Sequence, residues 1–140
     1  MPDLLDTIAD LRKFIGTAQL DTMLTLMHGE EGEWFRAKLI EMHQRVSTMP
    51  TIYAQDGLGM QSVAHLHYFT SGADWWITER DSEPVQRQAY GWADLGFGPG
   101  CPELGYISIL ELIRNRAELD LHFEPTKLCD IPKIKEEACG

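Results

Sequence analysis

The sequence predicts an α+β fold, in which N-terminal helices pack on one face of a mostly antiparallel sheet of about five strands. Apolar residues repeat at helical spacing in residues 1–49, and from Val63 onward short apolar runs alternate with turn signals. The connections between these runs are too short for parallel crossovers. A chain of 140 residues fits one domain. We therefore expect a single domain with a helical segment at 1–49, a sheet with one inserted helix at 50–131 and a tail at 132–140.

Three helices are expected in the N-terminal segment. Leu4, Ile8, Leu11 and Ile15 lie on one helical face, and Phe35, Leu39, Met42 and Val46 repeat that spacing further along. A shorter segment lies between them. The third helix opens in an acidic cluster, which suits the positive end of a helix dipole. The expected helices are Leu4–Ile15, Thr17–Met27, and one that starts near Glu30, Glu31 and Glu33 and ends before Ser47–Pro50.

Five strands and one further helix are expected after residue 50. Ser108 precedes an apolar run and has Glu111 three residues later, which is the capping-box pattern of a helix start. The strands are bounded by glycine, proline and polar turn residues. They are Val63–Phe69, Asp74–Glu79, Gln88–Asp94, Leu104–Ile107 and Leu119–Phe123.

The charge balance bears on the class of partner. The chain has 22 acidic and 12 basic side chains and a net charge of −10. Direct nucleic-acid binding is disfavoured, because such binding depends on Lys and Arg that neutralise phosphates. A negative surface that fits the basic groove of a nucleic-acid-binding protein is compatible with this charge, and so is a simple gain in solubility.

The cysteines and the N-terminus bear on location. No run of eighteen apolar residues and no signal-peptide pattern is present, so we expect neither a membrane span nor export. Cys101, Cys129 and Cys139 show no CxxC spacing and are interpreted as reduced thiols of a cytoplasmic protein.

Three histidines form a candidate metal site. His65 and His67 are two residues apart in an expected strand, and His122 lies in the last one. If those strands are neighbours, the imidazoles could converge with a carboxylate on zinc or iron. The alternative is that His65 and His67 are half-buried, hydrogen-bonded core residues, in which case no cofactor is needed.

Carboxylates and tryptophans define a candidate binding surface. Trp75 and Trp76 must face opposite sides of the sheet, and only one side is assigned to the N-terminal helices. The other side either exposes aromatic rings beside acidic strand ends, as a protein-binding surface does, or is covered by the helix after Ser108. The residues of this candidate surface are Trp75, Glu79, Asp81, Trp92, Asp94 and Glu103.

Several sequence blocks in fixed order resemble one known family. They include WWITERD at Trp75–Asp81, PELGYIS at Pro102–Ser108 and LDLHFEP at Leu119–Pro125. These blocks are similar to those of small bacterial proteins met on phages, plasmids and other mobile elements, catalogued as domain of unknown function 2958. The resemblance implies a role in the life of a mobile element and supplies no catalytic residues.

The residues and the resemblance together favour binding over catalysis. We expect a non-enzymatic protein-binding factor, accessory or counter-defence in role, whose carboxylates mimic a nucleic acid towards a host nucleic-acid-binding or defence complex. Two alternatives stay open. One is a metal-dependent hydrolase built on His65, His67 and His122, and the other is a small-ligand or nucleotide-binding module that uses the aromatic side chains. The sequence does not determine the oligomeric state.

Overall fold

The computed structural model describes the backbone of residues 3–96 and 101–139, and it has the α+β architecture that the sequence predicts. The helices are α1 (Leu4–Leu11), α2 (Thr17–Leu26), α3 (Gly32–Thr48), α4 (Ile109–Arg114) and α5 (Pro132–Cys139). The strands are β1 (Val63–Ala64), β2 (Leu66–Phe69), β3 (Asp74–Glu79), β4 (Ala89–Asp94), β5 (Glu103–Ile107), β6 (Glu118–Leu119) and β7 (Thr126–Lys127). Two 3-10 helices lie at Gly59–Gln61 and Leu128–Asp130.

Five of these strands form one antiparallel sheet in the order β5-β4-β3-β2-β6. The strand expected over Val63–Phe69 is divided at His65, because Val63 and Ala64 pair with β7 in a separate two-stranded sheet. The last strand of the main sheet lies beside β2, which was the condition for a shared histidine site, but it is only two residues long. His122 therefore lies beyond that strand.

One face of the sheet carries the main core. The helices α1 to α3 pack there, and α4 packs on the same side through Ile109 and Leu112. Ser108 caps α4 as predicted, since the Glu111 N–H donates to its hydroxyl at 3.1 Å. The buried tyrosine of this core, Tyr68, donates its hydroxyl to the carbonyl oxygen of Phe14. The N-terminal helices are thereby joined to the central strands.

The other face of the sheet is covered by the C-terminal segment. Trp76 is buried there against Leu128 of the second 3-10 helix, Ile131 between that helix and α5, and Ile134 of α5. Of the two alternatives for this face, an exposed surface or cover by the helix after Ser108, the second is wrong because α4 packs in the main core. The segment expected as a tail thus forms the helix α5 over residues 132–139, and its Ile134 is buried in this second core.

The cysteines and the helices add two local facts. Cys101 and Cys129 are free thiols, and the side chain of Cys139 lies outside the described residues. Within the described ranges, no helix has the length and apolar character needed to cross a membrane.

Candidate functional site

Three of the four carboxylates predicted for the binding surface are buried. Glu79 is 3% exposed, and Asp81 and Asp94 are each 5% exposed, whereas Glu103 at the start of β5 is exposed. The expectation that these acids lie on a surface is wrong for the buried three. They also do not gather, because Glu79 lies opposite Tyr90 in the sheet and Asp94 lies opposite Asp74.

Asp81 and Asp94 are buried because each binds groups of the protein itself. Asp81 accepts backbone N–H bonds from Glu83, Arg87 and Gln88 at 3.0, 3.2 and 2.9 Å, so its carboxylate closes the loop between β3 and β4. Asp94 accepts the Gly96 N–H at 2.9 Å and lies 3.4 Å from the ammonium of Lys133 in α5. Both carboxylates hold loops and termini in place.

Both predicted surface tryptophans are half-buried, on opposite faces of the sheet. Trp75 packs against the main core, and Trp92 packs in the second core with Trp76 and Leu104. As the strand alternation predicts, Trp75 and Trp76 diverge. Neither ring is surrounded by exposed acids as the candidate surface required, because Glu79, Asp81 and Asp94 are buried.

The three histidines of the proposed metal site are in three different environments. His65 is half-buried, and burial, reinforced by the nearby Arg45 guanidinium, lowers its pKa from the ordinary value. His122 is exposed and contacts the ring of Trp34. In the part of the chain that the structure describes, no group of three or more His, Cys, Asp or Glu side chains is arranged to hold a metal ion.

His67 is bound on both ring nitrogens by carboxylates. Nδ1 lies 2.9 Å from Asp120 and Nε2 lies 2.7 Å from Asp74, while the ring stacks on Trp76 at a centroid distance of 4.7 Å. Asp74 also binds Lys133, which raises the pKa of that lysine because the carboxylate favours its charged form. These side-chain contacts join β2, β3 and the segment after β6 to α5. His67 is therefore a half-buried, hydrogen-bonded residue of the fold, which was the alternative to its being a metal ligand.

An exposed acidic and aromatic surface does exist, at the start of α3. It consists of Glu30, Glu31, Glu33, Trp34 and His122, and we call it the acidic tryptophan surface. These residues line an open groove of about 690 Å³, and Phe35 and Leu121 also line it. Trp34 is 40% exposed. Its ring is held by an edge contact with Phe35 at 4.9 Å, by His122 at 5.6 Å and by the Lys38 ammonium 5.2 Å from the ring centroid.

Local sequence explains why this surface forms where it does. The face of α3 that contains Leu39, Met42 and Val46 is buried, and Trp34 lies off that face. The first residue of the helix, Gly32, is a glycine because a side chain at this position would come within 3.0 Å of the Met27 carbonyl oxygen. Glu31 is the N-cap residue and Glu33 lies in the first turn, where negative charge suits the helix dipole.

The three glutamates of this surface are available to a partner. All three are exposed, and none forms an ion pair with another described residue. An ordered, exposed indole beside free carboxylates can accept Lys and Arg side chains by ion pairing and by stacking. Buried tryptophans at the centre of an interface commonly dominate its binding energy.

Sequence reasoning missed Trp34 and related the three glutamates only to the helix dipole. The sequence does indicate an exposed Trp34, because in GEEGEWF this tryptophan directly precedes Phe35, the first residue of the apolar face of α3. A large apolar side chain off the buried face, next to unpaired acids, indicates an exposed contact residue.

The structure is that of a small α+β domain with an open groove lined by acidic and aromatic side chains, and its described residues contain no group of three or more His, Cys, Asp or Glu arranged to hold a metal ion. A family model, described as "Protein of unknown function (DUF2958)", matches residues 34–130. The match covers more than half of the chain, and the protein therefore belongs to this family. A search of curated proteins gives no match, and a search of solved structures gives none either.

Proposed function

We propose that this protein is a non-enzymatic binding factor of mobile-element type, which docks a basic protein partner on its acidic tryptophan surface. One observation carries the proposal. An indole that is 40% exposed is fixed by three neighbouring side chains, and three exposed carboxylates without ion pairs to other described residues lie beside it. Such a site binds at low entropic cost, because the anchor is already ordered before the partner arrives.

The net charge supports the same proposal. A chain with a charge of −10 attracts basic partners over a distance, and the local carboxylates then orient them. The accessory or counter-defence role, with a host nucleic-acid-binding or defence complex as partner, is the finer form of the proposal. In that form the side chains that stand in for phosphates are Glu30, Glu31 and Glu33, because Glu79, Asp81 and Asp94 are buried.

A comparative pull-down from the native host tests the proposal. The variants are Trp34→Ala and the triple variant Glu30→Gln, Glu31→Gln, Glu33→Gln. The matched control removes three exposed negative charges elsewhere, with Glu103→Gln, Glu111→Gln and Glu136→Gln. We expect the wild type and the control triple to retain the same partner, and both surface variants to lose it by about tenfold or more, as for a hot-spot residue.

The retained partner is also expected to be basic and to dissociate as salt is raised, since exposed charge pairs are screened. Equal capture by the wild type and by both surface variants would rule out docking on the acidic tryptophan surface. Loss on both charge triples alike would show that net charge alone explains the capture.

A further inference from the structure

A second cleft lies on the sheet face that carries Trp76, away from the acidic tryptophan surface. Its volume is about 470 Å³. The strands β3, β4 and β5 contribute Glu79, Tyr90, Leu104 and Tyr106, and the loop at residues 52–59 together with Ser62 forms the opposite wall. The two sites share no lining residue.

The cleft has an aromatic mouth. The hydroxyls of Tyr53 and Tyr106 are 2.8 Å apart, and the rings of Tyr90 and Tyr106 meet edge to face at 5.6 Å. Tyr53 has a φ of 75°, a left-handed conformation that is rare for a bulky residue. Non-glycine residues in this region occur preferentially at functional sites, where surrounding structure maintains them.

The floor of the cleft is a buried carboxylate. A bulge between Ile77 and Glu79 shifts the register of β3, so that Glu79 lies opposite Tyr90 and lines the cleft. Bulges often redirect a side chain towards a binding site. Glu79 is 3% exposed, and no Lys, Arg or His of the described residues pairs with it.

The protein supplies few donors to this carboxylate. The Thr78 hydroxyl lies 3.1 Å from Glu79 Oε2 and also 3.1 Å from the Tyr90 carbonyl oxygen, and its one proton serves one acceptor at a time. The Gln55 N–H reaches Glu79 Oε1 only at 3.5 Å, the outer limit of a hydrogen bond. A buried carboxylate is costly unless a counter-charge or strong donors compensate it.

We propose that this cleft is a second binding site, which takes an organic cation. An ammonium or guanidinium group pairs with Glu79, and its stem contacts the rings of Tyr90 and Tyr106. The described lining contains no basic side chain, and Asp56 adds a further negative charge. Tyrosine faces attract cations, so charge and ring chemistry favour the same ligand class. Free amines and the Lys or Arg side chains of a peptide share this chemistry.

An NMR titration with matched probes tests the assignment. The probes are butylamine, butylguanidine, the neutral N-butylacetamide, and a blocked Ala-Lys-Ala peptide. We expect the cationic probes to shift the backbone resonances of Glu79, Tyr90 and Tyr106 saturably, and the neutral probe to leave them unchanged. Tighter binding of the peptide than of butylamine identifies a protein side chain as the natural ligand, and the reverse order identifies a free amine.

Two variants and one control keep the test independent of folding defects. Glu79→Gln should weaken the cationic probes by about tenfold or more, and Tyr106→Ala, at an exposed position, by about threefold to tenfold. Glu103→Gln should bind as the wild type does. The assignment is overturned if no cation shifts the cleft resonances, if the neutral probe binds equally well, or if Ca²⁺ alone reproduces the shifts. Because Trp34 takes no part, this result is independent of the pull-down.

Discussion

The burial of Asp81 leads to a prediction that separates an anchoring carboxylate from a surface charge. Asp81→Asn keeps the shape of the side chain and replaces one of its two acceptor oxygens with an amide nitrogen that cannot accept. One oxygen accepts the Glu83 N–H and the other accepts those of Arg87 and Gln88, so the variant loses at least one bond in either orientation.

The expected cost follows from these contacts. A hydrogen bond to a charged acceptor contributes roughly 1.5–3 kcal/mol, and the Asp81 side chain that accepts these bonds is only 5% exposed. We therefore expect Asp81→Asn to lower the free energy of unfolding by about 2 kcal/mol. With a urea m-value of roughly 2 kcal/mol/M for a domain of this size, the unfolding midpoint should fall by about 1 M.

Urea unfolding followed by circular dichroism measures this shift. Glu103→Gln is the matched control, because Glu103 was predicted for the same surface but is exposed. Its unfolding free energy should stay within about 0.5 kcal/mol of the wild type. A midpoint for Asp81→Asn within about 0.2 M of the wild type would refute the anchoring role, since it corresponds to well under 1 kcal/mol.

Three further predictions concern the sheet and its charges. Gly91→Ala should destabilise the protein by about 2 kcal/mol, because its side chain would come within 3.0 Å of the Trp76 carbonyl oxygen. Gly105→Ala, on the paired strand, meets nothing within 4 Å and should leave the stability unchanged. Thermal melts of both variants measure the difference. Lys133 has a pKa above its ordinary 10.5, so its stabilisation is fully present below pH 10.5 and is lost as the pH rises from there through the raised pKa. Lys133→Met should therefore lose less stability than the wild type as the pH rises above about 10.5, and an equal loss would contradict the ion pair. His65 has a pKa below its ordinary 6.5, so the unfolded chain takes up its proton first and stability falls as pH drops below 6.5. Below that pH, the free energy of unfolding of His65→Gln should depend less steeply on pH than that of the wild type. An equally steep dependence would contradict the lowered pKa of His65.

The helices α1 to α4 and the positions of the main strands along the chain were predictable from the sequence because they depend on local periodicity. Leu39, Met42 and Val46 are buried on one face of α3, and Asp74–Glu79 is a strand with the expected bounds. The Ser108 cap was predictable for the same reason, since its partner Glu111 is three residues away.

The burial of the acids was not predictable, because it depends on contacts between distant parts of the chain. Asp94 approaches Lys133, a residue of the C-terminal helix that the sequence suggested was a tail. The bulge that directs Glu79 into the cleft leaves no sequence signature in DWWITE. His67 shows the same limit, since its partners Asp74 and Asp120 come from two other segments.

Site-specific photo-crosslinking tests most directly whether a partner docks on the acidic tryptophan surface. A benzophenone side chain at Ala37, an exposed position one turn after Trp34 in α3, is compared with one at Val85, which is exposed in the loop between β3 and β4. In native host extract we predict a basic adduct from position 37, none from position 85, and loss of the adduct when Trp34→Ala is added. An adduct that forms equally from both positions, or that survives Trp34→Ala undiminished, would contradict docking at this surface.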